Sequence, residues 1–328
     1  MKSLLKEGIA SCALAAAVTA FAQESPLGSP AGAAERYSAD YASLVRTAMP
    51  RIDAAGLERL MENVRQSPAR GIGLRDAQDA AKLLNLRTRG GKGDAREVDA
   101  GDAIVRYDPA AGHLRVIWRP SDTPAATRDR FKPLIPEIRR SHDALAARLG
   151  IEKRDVLFVD FREVLSQSDG RAQDGPRLPI VSEGATSTYL RAVAGVLVEG
   201  SFARINSIDA KQLGGVDVRW SSVKLAEEAR AGGLRGPQDV LAEIVKHVEG
   251  GAKGMPVNVR MAVVLRPVDR AKPGLYVPSL KIGVKPQSVK TEDGYRTDAG
   301  EVFYSDLLKG APPIVARDAH DREQSPGG

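Results

Sequence analysis

The feature that most limits how this chain can hold itself together is its single cysteine, Cys12. One thiol cannot close an intrachain disulfide, and Cys12 lies in a stretch that reads as a leader removed on export. Lys2 and Lys6 give a basic start, offset in part by Glu7, and Gly8 to Ala22 carries no charge. The run closes on Ala20-Phe21-Ala22, the small-x-small pattern that signal peptidase requires, ahead of Gln23. Its uncharged part is 15 residues long, short of the ~20 that a bilayer-spanning helix needs. A cut between Ala22 and Gln23 is therefore expected, giving a periplasmic or secreted bacterial protein with no transmembrane span in the mature chain. A rival cut at Ile9-Ala10-Ser11-Cys12, the pattern before a lipidated cysteine, leaves only Gly8 to Ser11 as an apolar region. It also strands the more apolar Ala13 to Ala22 on the wrong side.

Without Cys12 the mature chain has no disulfide, thiol nucleophile or thiolate metal ligand, although its compartment permits disulfides. Stability must come from buried apolar area, and a chain of this size can bury roughly 75% of its unfolded surface. Losing Lys2, Lys6 and Glu7 takes the net charge from +6 to +5. That mild bias does not announce nucleic-acid binding, which wants a concentrated basic face. The most basic short stretch, Arg87 to Arg96, is rich in glycine and reads as a solvated linker. Aromatics are 5% of the chain, which disfavours a sugar-binding cleft built on aromatic platforms.

Punctuation and periodicity divide the rest. Residues 23–35 form a Pro-, Ser- and Gly-rich lead of disordered composition. Helical spacing then runs through residues 36–88, with Pro50 as a break, Asp53 as an N-cap, and Leu57, Leu60, Met61 and Val64 on a core face. A third helix is expected from Arg75 to Leu86. From Asp102 the texture turns to strands: Asp102–Tyr107 and His113–Arg119 as a hairpin, then Asp155–Val164 after a helix from Pro136 to Leu149. An extended region covers Leu178 to about Ile208, and Val216–Val223 is a further strand. Helices are expected at Lys224–Ala231 and Pro237–Glu249, the second opening on proline. Val257–Arg266, Leu275–Lys285 and Val302–Tyr304 read as strands, and the tail from 310 to 328 is polar. Glycine pairs at 214, 232 and 250 invite a repeat reading, but the segments between them disagree in type. The expected architecture is α+β: a helical N-terminal region followed by a largely antiparallel sheet with a few packed helices, in a domain spanning 97–309.

No stretch carries a complete catalytic signature. Ser221-Ser222-Val223-Lys224 has the S-x-x-K spacing of penicillin-binding enzymes, where one helical turn sets the lysine beside the serine. The companion motifs are missing, and Ser3 and Lys6 give a second match inside the leader. Asp160 ends an apolar strand, the position at which parallel α/β sheets place metal- or phosphate-binding acids. Alternation with Phe161 and Arg162 makes an ordinary ion pair the simpler reading. Ser141-His142-Asp143 holds the residue types of a hydrolase triad, but consecutive helical residues point about 100° apart and cannot form the relay. His142 sits on the apolar stripe and is expected to donate to a carbonyl. The histidines at 113, 142, 247 and 320 show no metal-ligand spacing. No cofactor and no metal site is expected. The reading is an exported envelope protein that binds or helps assemble a protein or envelope partner. The alternative is an extracytoplasmic hydrolase whose site gathers residues distant in sequence, with Ser221, Lys224 and Asp160 as its candidates.

Overall fold

The computed structural model describes residues 40–50, 54–66, 68–88, 96–119, 126–166, 181–226, 233–252, 255–268, 274–287, 289–291, 294–296, 300–310 and 314–316. The leader with Ala20, Ala22 and Gln23, the 23–35 lead, Asp53, the 168–176 loop and residues 317–328 lie outside them.

Three helices come first: α1 (Tyr41–Ala48), α2 (Ala54–Gln66) and α3 (Ala77–Leu83). Asp40 and Asp76 cap α1 and α3, accepting from the backbone amides of Ser43 and Asp79 at 3.0 and 2.8 Å, which satisfies donors no helix can satisfy internally. The strands β1 (Glu97–Asp99), β2 (Ala103–Asp108) and β3 (His113–Trp118) follow as antiparallel neighbours. Then come β4 (Ala126–Thr127), the turn α4 (Arg128–Phe131), the long helix α5 (Ile135–Arg148) and β5 (Val156–Ser166). The expected extended region is two strands, β6 (Val181–Val193) and β7 (Val196–Ser207), paired antiparallel with a shift between Leu190 and Ala192. β8 (Leu213–Arg219), β9 (Lys224–Leu225), α6 (Pro237–Ala252), β10 (Val257–Pro267), β11 (Leu275–Pro286), the small pair β12 (Val289–Thr291) and β13 (Gly294–Arg296), β14 (Glu301–Asp306) and β15 (Val315–Ala316) complete the chain.

The protein is α+β, and its main sheet runs β1-β2-β3-β8-β7-β10-β11-β14-β15, with β6 and then β5 on the other edge of β7. Pairing is antiparallel except β7 with β10 and β9 with β11. Two apolar clusters hold helices to the sheet. In one, α3 and α5 bring Ala77, Ala80, Leu145 and Ala146 onto Val105, Val116, Val218 and Ile205. In the other, Val45, Leu60, Val64, Val240, Ile244 and Val248 from α1, α2 and α6 meet Leu265, Leu280, Ile282 and Phe303. The N-terminal helices thus share a core with the sheet.

The helix expected over Lys224–Ala231 does not begin at Lys224. Lys224 and Leu225 form β9, parallel to Leu275 and Tyr276. The amides of Lys224 and Ala226 donate to the carbonyls of Gly274 and Tyr276 at 2.8 and 3.0 Å. Burial has period two, with Val223 and Leu225 inside and Lys224 exposed. Pairing with β11 and burial of both flanking side chains outweigh helical propensity here. The rest of that segment, 227–232, lies outside the described residues.

Candidate functional site

One face of the sheet is packed by helices, and the other presents polar side chains from β1, β2, β3, β8, β7, β6 and β5. Strand register sets them in a row. Glu97 lies opposite Arg106, Arg106 opposite Arg115, Arg115 opposite Asp217, Asp217 opposite Arg204, Arg204 opposite Thr188, and Thr188 opposite Asp160. The adjoining row carries His113, Arg219, Phe202, Leu190 and Phe158. Each strand contributes by alternation: in β7, Ala203 and Ile205 turn to the helices and are fully buried, so Phe202, Arg204 and Asn206 turn to the other side.

Phe202 sits at the centre of this face. The guanidinium carbons of Arg204 and Arg219 lie 5.5 and 5.6 Å from its ring centroid, in cation–π range. Asp217 accepts from or shares a proton with His113 Nε2 at 2.9 Å. Burial pushes the Asp217 carboxyl up, but the His113 hydrogen bond and the Arg219 and Arg204 charges outweigh it and hold its pKa below the usual range. Arg106 pairs with Glu97 at 2.6 Å, and Thr186 donates to Asn206 Oδ1 at 2.8 Å. Within the strands, five arginines (106, 115, 162, 204 and 219) share this face with five acids (Glu97, Asp99, Asp108, Asp160 and Asp217), so its formal charges balance. Around Phe202 the arrangement can recognise carboxylates set beside an apolar group: the flanking arginines fork onto carboxylates, and Phe202 supplies contact area.

The sequence candidates for catalysis are not gathered here. Ser221 follows β8 in an extended segment, where its Oγ lies 3.4 Å from the Tyr276 hydroxyl. Lys224, three residues on in extended chain, is about 10 Å away along the backbone, against one helical turn in the S-x-x-K enzymes. The segment around Ser221 is also enclosed. Gly112, at φ +57°, approaches so closely that a Cβ there would lie 2.6 Å from Ser221 Cα. Arg191, wholly buried, donates to the Ser221 and Arg70 carbonyls, the second at 2.7 Å, and stacks over the Trp220 ring at 4.8 Å. It ties the chain before α3 to the chain after β8. Burial lowers its pKa to about 10, so it stays cationic at neutral pH. Asp160 is on β5, three strand spacings or about 14 Å from β8, and is ion-paired with Arg162 Nε at 2.5 Å.

The Ser141-His142-Asp143 run is dispersed as helical geometry requires. Ser141 donates to the Ile138 carbonyl, and Asp143 accepts from the Tyr189 hydroxyl at 2.7 Å. His142 is wholly buried, but its partners are not the expected carbonyl. Nδ1 meets Ser187 Oγ at 2.8 Å and Nε2 meets Ser207 Oγ at 2.7 Å. In the neutral ring one nitrogen donates and the other accepts, and two hydroxyls suit both. α5 lies against β6 and β7, where these serines belong to the helix-facing alternation, so no carbonyl is turned towards the ring. Burial, opposed weakly by the Asp143 charge, pushes its pKa down to about 4.

Two open depressions lie elsewhere. One of about 360 Å³ is lined by Glu58, Met61, Glu62, Arg65, Gly233 and Leu234. Another of about 170 Å³ includes His247, Met255, Val257, Glu301 and Phe303, with His247 Nε2 at 3.2 Å from Glu301. Neither lining supplies a hydroxyl nucleophile beside a base. Among the described residues no three His, Cys, Asp or Glu side chains come together as a metal site, and no helix is long and apolar enough to cross a membrane.

Phe202, Arg204 and Asp217 escaped the sequence reading. The alternation of β7 and β8 was visible, but their convergence depends on a cross-strand register that sequence does not state. No protein-family model matches this chain, and no curated protein matches it.

Proposed function

We propose that the protein is exported by cleavage after Ala22 and acts in the bacterial envelope as a binding or assembly factor. Its partner docks on the open sheet face around Phe202. The observation that carries this reading is the Phe202 ring between the Arg204 and Arg219 guanidiniums on that face. A partner of complementary chemistry presents carboxylates around an apolar or aromatic centre. Arginine and aromatic side chains are the residue types that dominate binding energy at such interfaces. The enclosed setting of Ser221, and its separation from Lys224 and Asp160, gives the hydrolase alternative no supporting geometry. N-terminal sequencing of the chain recovered from the producing cell tests the export step, with Gln23 expected as the first residue. A photoreactive amino acid replacing Phe202 tests the docking face by capturing what lies on it in the cell.

A further inference from the structure

The edge strand β5 carries a second message. Among the described residues β5, 11 residues long, pairs with β6 alone, and no described strand adjoins its other edge. Natural edge strands are shielded by brevity, lysine, proline or bulges. β5 is long, has no lysine or proline, and is regular from Phe158 to Val164, with register shifts only beyond those two residues. Eight large hydrophobic residues are exposed among the described ones, and four of them, Phe158, Val159, Val164 and Leu165, are on this strand. About Phe161 the regular stretch answers apolar Phe158 with apolar Val164 and charged Asp160 with charged Arg162, while Val159 answers Glu163.

We propose that the chain dimerises by antiparallel pairing of β5 with β5 of a second copy, about a twofold axis at Phe161 and normal to the sheet. In that register Phe158 faces Val164 of the other copy and Asp160 faces Arg162, each contact occurring twice. Directly opposed residues on one face of an antiparallel pair interact, favourably when charges are opposite and unfavourably when alike. The charges choose the register. A twofold centred on Asp160 sets Asp160 against Asp160, and one centred on Arg162 sets Arg162 against Arg162. Because side chains keep their face across such an axis, shifts of centre by one residue are the nearest alternatives. Only the Phe161 centre opposes unlike charges. The intramolecular Asp160–Arg162 pair, at 2.5 Å, then extends into a four-membered ring of alternating charge. The partner-binding faces of the two copies become one continuous surface.

Sedimentation velocity of the purified full chain tests this with three proteins: wild type, Asp160→Arg and Arg162→Asp. The wild type is expected at twice the chain mass. Each single variant opposes like charges at both symmetric contacts and is expected to weaken dimerisation at least tenfold. In a mixed dimer the first variant presents two arginines where the second presents two aspartates, so unlike charges again meet at both contacts. Mixing the two is therefore expected to restore the dimer. Circular dichroism and melting of each variant establish that it is folded, and both substitutions are at solvent-accessible positions. A monomeric wild type at the highest attainable concentration overturns the proposal. So do single variants that dimerise as tightly as wild type, or folded variants whose mixture stays monomeric.

Discussion

Acidification should loosen this fold through His142 before most of its carboxylates titrate. The ring is wholly buried between Ser187 and Ser207, and burial lowers its pKa from 6.5 to about 4. Below pH 6.5 the unfolded chain takes up a proton at this site that the folded chain refuses until about pH 4. Because the unfolded state binds more protons, stability falls as pH falls across that window. It is fully present above pH 6.5 and lost by the time pH reaches the folded value. The gap of about 2.5 units, at about 1.4 kcal/mol each, corresponds to roughly 3 kcal/mol. That is a large part of the 5–15 kcal/mol that holds a typical protein folded. Other groups titrate nearby. The Arg75 hydrogen bond holds Asp79 below its usual pKa, and the Arg65 hydrogen bond does the same for Glu62. Urea denaturation of wild type and His142→Gln at intervals from pH 7.5 to 4 removes those shared contributions by difference. Glutamine can donate and accept but cannot ionise, so at pH 7.5 the variant should be less stable by about 1–3 kcal/mol. The difference should move in the variant's favour by about 3 kcal/mol towards pH 4, closing or reversing that deficit. Two curves with a constant offset across the range would refute the argument.

Asp306 is almost wholly buried, receives Arg266 through two nitrogens at 3.0 and 2.7 Å, and accepts from Ser279 Oγ at 2.5 Å. Asp306→Ala strands a guanidinium that is only 13% exposed and should cost about 3–5 kcal/mol in urea denaturation. Gly112→Ala combines a left-handed backbone with a Cβ 2.6 Å from Ser221 Cα, whereas Gly150, at φ +80°, has nothing within 4 Å. Gly150→Ala should therefore cost only the left-handed strain, about 1–2 kcal/mol, and Gly112→Ala clearly more. Equal losses would mean that the approach to Ser221 is not a tight one.

What the sequence revealed follows its periodicities. α6 was legible because Pro237 opens it and Val240, Ile244 and Val248 recur at helical spacing. β10 was legible through the alternation of Val257, Val259, Met261, Val263 and Leu265, and β11 as the partner strand expected beside it. β9 was hidden, since Lys224-Leu225-Ala226-Glu227-Glu228-Ala229 is composed of good helix formers. Only its pairing with Leu275, far along the chain, makes Lys224 and Leu225 a strand. The partners of His142 were out of reach for the same reason, lying 45 and 65 residues away. Arg191 gave no hint that it would be the buried tie between two loops, because its acceptors are backbone carbonyls, which every residue has. The open face fell between these cases. Its members alternate visibly within each strand, and their convergence waits on register.

The docking face is tested most directly by p-benzoyl-phenylalanine placed at Phe202, with a control at the exposed Lys246 on α6, each irradiated in the producing cell. The account predicts a discrete higher-mass adduct from position 202, absent at 246 and lost when Arg115 and Arg204 are both changed to alanine. Equal labelling at the two positions, or an adduct at 202 that survives loss of both arginines, would contradict it.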